Sequence, residues 1–204
     1  DECGVCNGGG IADGACDCDG NVEDCAGECG GSSVPDNCGV CNGDGSTCVG
    51  SLGLGALTWD ATTQSGSLQV TYDFGGPVAG FQFDVTGLSL VGASGGAASD
   101  AGLMVSFNGS TVVGFSFTNA EILAGTGVLT ELAFDAVTAD ITELSLGNFG
   151  AITNAAGDDY SFTVDGSIDH TLEQDCAGAY YGDAIIDECG VCNGGGIADG
   201  ACDC

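Results

Sequence analysis

Residues 128–137 read VLTELAFDAV, with Val128, Thr130, Leu132, Phe134 and Ala136 on one side and Glu131 and Asp135 on the other. A chain that alternates apolar and polar residues in this way is written for a strand with one buried face. Four other stretches carry the same period. SLQVTYDF (67–74) places Leu68, Val70, Tyr72 and Phe74 together, and VAGFQFDV (78–85) places Phe81, Phe83 and Val85 together. ITELSLGNF (141–149) and YSFTVDGSI (160–168) continue the pattern. Turn residues separate these runs at intervals of about ten residues, the spacing of an antiparallel sandwich or barrel. A hairpin is legible in LMVSFNGSTVVGFSF (103–117), where two apolar strands flank Asn108-Gly109. Asn108-Gly109-Ser110 is also an N-glycosylation sequon, so a glycan is expected to sit at Asn108 on the hairpin tip. Trp59, the phenylalanines and Met104 are expected in the core; only Trp59, Tyr72 and Tyr160 could form an aromatic sugar-binding face.

Two of these segments resemble cohesin-like modules. Pro77-Val78-Ala79-Gly80-Phe81-Gln82-Phe83-Asp84-Val85 is similar to an early strand of that family, and Gly125-Thr126-Gly127-Val128-Leu129-Thr130-Glu131-Leu132-Ala133-Phe134 to a later one. The resemblance implies an all-β, antiparallel jelly-roll sandwich of about nine strands, as found in secreted scaffolds and surface proteins. It does not carry a binding partner with it, because fold transfers better than function.

Outside the sandwich the sequence changes character. Residues 1–18, DECGVCNGGGIADGACDC, recur without a change at 187–204. The repeat reads as register in a tandem array whose period is 187 minus 1, or 186 residues, so the chain is one period plus the start of the next. The segments are then a Cys/Asp/Gly-rich arm at 1–50, the sandwich at 51–171, and the start of the next arm at 172–204. All fourteen cysteines lie in the arms: Cys3, Cys6, Cys16, Cys18, Cys25, Cys29, Cys38, Cys41, Cys48, Cys176, Cys189, Cys192, Cys202 and Cys204. The last four repeat the first four, which leaves ten per period, an even number that can pair completely.

Within the arms, DCAGAYYGDAIIDECGVCNGGGIADGAC (175–202) and DCAGECGGSSVPDNCGVCNGDGSTC (24–48) are related copies. Tyr180 stands in the first where Cys29 stands in the second. Disulfides between the copies are expected, with partners that the sequence does not specify. Zinc is the rival reading. C-x-x-C-x-G-x-G at Cys3–Gly10, Cys38–Gly45 and Cys189–Gly196 resembles the cysteine-rich domain of J-domain chaperones, and two such pairs could supply four thiolates. Asp13, Asp17, Asp19, Asn21 and Asp24 place oxygen ligands at short intervals around Gly20 and resemble a thrombospondin type 3 calcium loop; Asp36, Asn42 and Asp44 form a second candidate.

The charge balance restricts the partners. The chain has thirty acidic residues, no lysine or arginine, and a net charge of −30. Nothing in it can replace the counterions of nucleic acid or of an anionic membrane. No apolar run is long enough for a membrane-spanning helix. The carboxylates must instead be spaced in water, capped by backbone N–H groups or neutralised by divalent cations, calcium first. Dense cysteine in an acidic segment points to a secreted, extracellular or cell-surface location. No catalytic residues are assigned: His170 is expected on the surface, and no serine–histidine pair or lysine nucleophile exists. The expectation is a non-catalytic structural unit that assembles head to tail with copies of itself into a filament or surface array. The alternative is a cohesin-like adhesin or scaffold module that binds a protein or glycan.

Overall fold

The computed structural model describes residues 1–4, 8–36, 38–45, 48–147, 149–199 and 203–204. It contains two compact units, Asp1–Val49 and Gly50–Cys204.

The sandwich belongs to the second unit and is all-β. Its strands are β1 (Val49–Asp60), β2 (Ser65–Phe74), β3 (Gly80–Thr86), β4 (Leu88–Ser94), β5 (Met104–Asn108), β6 (Thr111–Phe115), β7 (Gly125–Val137), β8 (Ile141–Ser145), β9 (Ala151–Thr153), β10 (Ser161–Asp165) and β11 (Ser167–Asp169). One short helix, α1 (Gly96–Asp100), follows β4. The strands form two sheets, ordered β10-β1-β2-β7-β4 and β11-β8-β3-β6-β5, with β9 paired to β3. There are eleven described strands where about nine were expected, because the 160–168 run divides into β10 and β11 and a three-residue β9 is added.

The alternation read from the sequence sets the inner faces. Leu68, Val70 and Phe74 of β2 and Leu132 and Phe134 of β7 are buried, opposite Phe81, Phe83 and Val85 of β3. Burying a side chain of this size stabilises the fold by about 1.5–3 kcal/mol. One irregularity breaks the alternation. The register of β2 on β7 passes from Val70↔Thr130 to Thr71↔Val128, so Leu129 is bulged out of the ladder. Leu129 and Thr130 are consequently both buried, and the Thr130 hydroxyl donates to the Ser94 carbonyl.

Three placements differ from expectation. Met104 is 56% exposed and Phe117 and Phe149 are more so, because they lie on an edge strand and in loops rather than on an inner face. Asn108 pairs with Thr111, so the hairpin loop is Gly109-Ser110 rather than Asn108-Gly109. Gly109 has φ 62°, which suits a turn with glycine first. Asn108 is then the last ladder residue and is exposed. His170, expected on the surface, is fully buried.

Candidate functional site

The arms are built from one local device, an aspartate that organises its own turn. Asp24 accepts the N–H groups of Ala26 and Glu28 on Oδ1 and that of Ser33 on Oδ2, at 2.9 to 3.0 Å. Asp36 does the same with Cys38, Val40 and Gly45. Asp175 binds Ala177, Ala179 and Ala184, and Asp187 binds Cys189, Val191 and Gly196. Asp1 holds Cys3 and Gly10 in the corresponding way. In each case the donors lie two, four and nine residues downstream, where described. A short antiparallel bridge closes each turn: Glu23↔Cys29, Pro35↔Cys41, Gln174↔Tyr180 and Ile186↔Cys192.

Two glycines make the turn possible. The residue three after the aspartate is in the left-handed region at Gly27, Gly39, Gly178 and Gly190, with φ between 78° and 81°. Seven after it, a Cβ on Gly31, Gly43, Gly182 or Gly194 would lie 1.9 to 2.0 Å from the carboxylate Oδ2. Any side chain there would displace the carboxylate and its three donors. The N–H groups hold the carboxyls of Asp24, Asp175 and Asp187 below the ordinary range, foremost the donors from Glu28, Ala179 and Val191. Asp36 is lowered as well: desolvation opposes the shift, and the N–H groups of Val40, Gly45 and Cys38 outweigh it. Stable anions supplied with donors in this way need no cationic side chain, which this chain does not have.

Disulfides then join each turn to the next. The described pairs are Cys3–Cys18, Cys16–Cys29, Cys25–Cys41, Cys38–Cys48, Cys176–Cys192 and Cys189–Cys204, with Cα separations of 5.4 to 5.6 Å. Cys25–Cys41, Cys38–Cys48 and Cys176–Cys192 each lie within one copy rather than between the two, because successive turns are neighbours in space as well as in sequence, whereas Cys16, the repeat counterpart of Cys202, bonds Cys29 of the second copy. Sulfurs committed to these bonds, those of Cys38, Cys41, Cys189 and Cys192 among them, are not thiolates. Cys6 and Cys202 lie outside the described residues.

Three of the aspartates proposed for calcium, Asp17, Asp24 and Asp36, organise turns in this way. Asp17 accepts the N–H groups of Asp19 and Asn21 on Oδ1 and the Asn21 amide on Oδ2. The Asn42 amide donates to Ser33 Oγ. Among the described residues, the single group of three acidic or sulfur ligands within 4.8 Å of one another is Asp36, Cys38 and Cys48, and its two sulfurs are bonded to each other. Asp13, Asp19, Asp24 and Asp44 are not gathered into such a group. Among the described residues these carboxylates therefore do not form a ready-made cluster of three.

Where the chain leaves the sandwich, the first turn is fastened to it. The Tyr180 hydroxyl and the Gln174 amide both donate to Asp140 Oδ1, ahead of β8. Tyr181 stacks on Trp59 of β1 at 5.8 Å, and Trp59 stacks on Phe134 of β7 at 5.7 Å. His170 lies between: Nε2 is 2.9 Å from Thr142 Oγ1 and Nδ1 is 2.9 Å from the Tyr181 hydroxyl. Burial lowers the affinity of this imidazole for a proton, partly offset by Asp169 and Glu173. Tyr181 occupies φ 54°, where the equivalent residues are Gly30, Asn42 and Asn193. A left-handed tyrosine costs about 1–2 kcal/mol. The stack on Trp59, an edge contact with His170 and a part-buried hydrogen bond offset that cost.

On the other sheet, Ser106, Phe107, Asn108, Thr111, Val113 and Phe115 line a shallow apolar groove along the β5–β6 hairpin. Phe117, 80% exposed, packs edge-on against Phe115. Of the aromatics considered for sugar binding, Tyr160 is buried with its hydroxyl on the Pro77 carbonyl, Trp59 is in the stack above, and Tyr72 packs on Phe74.

Taken together these features define an all-β sandwich that continues into a disulfide-linked series of carboxylate turns. No protein-family model matches the chain, and no curated protein matches it. Among solved structures, the non-cellulosomal cohesin from the hyperthermophilic archaeon Archaeoglobus fulgidus is similar over 58% of this chain and 88% of its own, at 15% identity and a TM-score of 0.43. No helix among the described residues is long and apolar enough to cross a membrane.

Proposed function

We propose that this chain is a non-catalytic structural repeat unit of a secreted or cell-surface assembly, in which sandwiches alternate with stapled arms and copies follow one another head to tail. The observation that supports this most directly is the recurrence of one turn, with one hydrogen-bond pattern and one type of disulfide connection, at both ends of a sandwich. A series of turns that needs no core and no cation is suited to spacing compact domains rather than to binding a small molecule. Divalent cations enter as counterions to the charge of −30, not as occupants of a cage. Six disulfides agree with an oxidising compartment. Electron microscopy of the native material with calcium and after chelation tests the reading. Filaments with a uniform axial repeat are expected under both conditions, bundled more tightly with calcium. Isolated particles under both would sink it.

A second reading, a protein-binding module, is favoured by the apolar groove on β5–β6 and the exposed Phe117 beside it. Asn108 lines that groove, so a glycan at Asn108 would cover it. Mass measurement before and after glycosidase treatment separates the two uses of this face: an occupied Asn108 argues against docking there.

A further inference from the structure

We propose that the two cysteine-rich segments are halves of one continuous staircase, closed by five disulfides per period, one of which forms across each junction between consecutive copies. This rests on the repeat reading above and extends it to a specific covalent connection.

The register carries the argument. Residues 187–204 are residues 1–18 displaced by one period, and Cys189–Cys204 is Cys3–Cys18 displaced in the same way, each with a sequence separation of 15. The six described bonds therefore reduce to five distinct rungs: Cys176–Cys192, Cys189–Cys204, Cys16–Cys29, Cys25–Cys41 and Cys38–Cys48. Those five use each of the ten cysteine positions of a period once. Cys202 is the counterpart of Cys16, which bonds Cys29; Cys6 is the counterpart of Cys192, which bonds Cys176. In the repeating protein, Cys202 is Cys16 of the following copy and thus bonds Cys29 of that same copy, while Cys6 bonds Cys176 of the preceding copy, which is the rung that crosses the junction. Each rung forms as two thiols give up two protons and two electrons to a disulfide oxidant of the secretory compartment, which leaves as a dithiol.

Both ends of the staircase fit this reading. Its first turn, at Asp175, has no turn before it, and there the rung position is Tyr180, bonded to Asp140 of the sandwich. Its last rung ends at Cys48, one residue before β1.

The rungs also overlap, since Cys16 precedes Cys18, Cys25 precedes Cys29, Cys38 precedes Cys41 and Cys189 precedes Cys192. Pulled from its ends, the covalent path crosses a rung, runs back two to four residues, and crosses the next. Its greatest length from Cys176 to Cys48 of the next copy is about 70 Å, against about 200 Å for the same stretch reduced. The staircase is a tether that gives way only by breaking sulfur–sulfur bonds.

A chain carrying two consecutive periods, digested without reduction by an Asp- or Glu-directed protease, tests the junction. The expected products are a peptide linking Cys176 of the first copy to Cys6 of the second and one linking Cys16 to Cys29 within the second, with no free thiol between the two sandwiches. Stretching single molecules of the same chain should give roughly a threefold longer linker after reduction. Free thiols at Cys6 or Cys16 of the second copy, or a bond between the two, would overturn the proposal, as would a linker length indifferent to reductant. Intact mass of the native polypeptide tests the repeat reading by itself: a single-period mass removes that reading while the two-period chain still decides the rung.

Discussion

The turn at Asp24 and the turn at Asp175 share a backbone and differ in what fastens them. Both aspartates accept the same three N–H groups, both turns use glycine three and seven residues on, and both send a disulfide forward over 16 residues. Asp24 is also held from behind, through Cys29 to Cys16. At Asp175 the corresponding pair of residues is Tyr180-Tyr181, and the hold from behind is an aromatic and hydrogen-bonded contact with Trp59 of β1, His170 and Asp140 ahead of β8. One scaffold therefore accepts either a covalent or a packed attachment, and the position five residues after the aspartate decides which.

Removing the covalent attachment should have the largest effect. Among the described residues of Asp1–Val49, Cys48 is the one buried apolar side chain, so no core stands behind the bonds. Each native disulfide in such a domain contributes about 2–5 kcal/mol. Under reductant, amide protection should disappear from Asp1–Val49 while β2 and β7 stay protected by their buried neighbours. Persisting protection in the arm would mean that the carboxylate turns stand without their rungs.

The next comparison is between glycines. Gly43→Ala and Gly182→Ala place the same methyl group against the same carboxylate oxygen, and each should release all three N–H donors of its aspartate. Hydrogen exchange at Val40 and Ala179 reads this directly. In the first variant the rungs still restrain the chain, and in the second the tyrosines do, so exchange should rise more at Ala179. Equal rises would show that the two attachments are equivalent.

Tyr181→Asn sharpens the contrast further, because Asn42 and Asn193 already hold this position. The substitution relieves a left-handed tyrosine and removes the stack on Trp59, an aromatic pair worth about 0.5–1.5 kcal/mol beyond its burial. The net result should be a loss of about 1 kcal/mol in thermal unfolding of the sandwich, with the Asp175 turn intact. A gain in stability would show that strain outweighs the anchor.

The smallest effect expected is that of pH, and it separates the two attachments by window. His170 in the docked state resists protonation, so its contribution is complete above its ordinary value of 6.5 and is lost as pH falls below it. The turn aspartates are shifted below 3.8, so their contribution is complete above that value and is lost only as pH falls through their lower native values. Between those limits, Trp59 fluorescence should report loosening at Tyr181 while exchange at the Asp24 turn stays slow. Loss of both together would mean that one process controls them.

Much of the sandwich was legible because strand period two survives wherever one face is buried and the other wet, as in β2, β3 and most of β7. What was not legible came from contacts between distant segments. Leu129 looked outward by alternation, and a single bulged residue turned it inward. His170 looked exposed beside Asp169; Thr142 and Tyr181, 28 and 11 residues away, enclose it. In the arms, even cysteine counts were readable and partners were not. The spacing of aspartate, glycine three residues on and glycine seven residues on, at Asp1, Asp24, Asp36, Asp175 and Asp187, was the signal available. It marks the turns, and the order of the turns gives the rungs. Of the residues read as calcium ligands, Asp17, Asp24 and Asp36 have their carboxylates engaged by backbone N–H groups, which the sequence alone did not show.

Asp24 and Asp36 lie twelve residues apart, as do Asp175 and Asp187, and each pair of turns is joined by a disulfide, Cys25–Cys41 and Cys176–Cys192. Such an arrangement can be edited in whole units. In the repeating protein proposed above, duplicating or deleting one twelve-residue segment together with its rung would change the distance between two sandwiches by a fixed step and leave their cores untouched. Evolution could then adjust the spacing of the proposed assembly in increments, much as links are added to a chain.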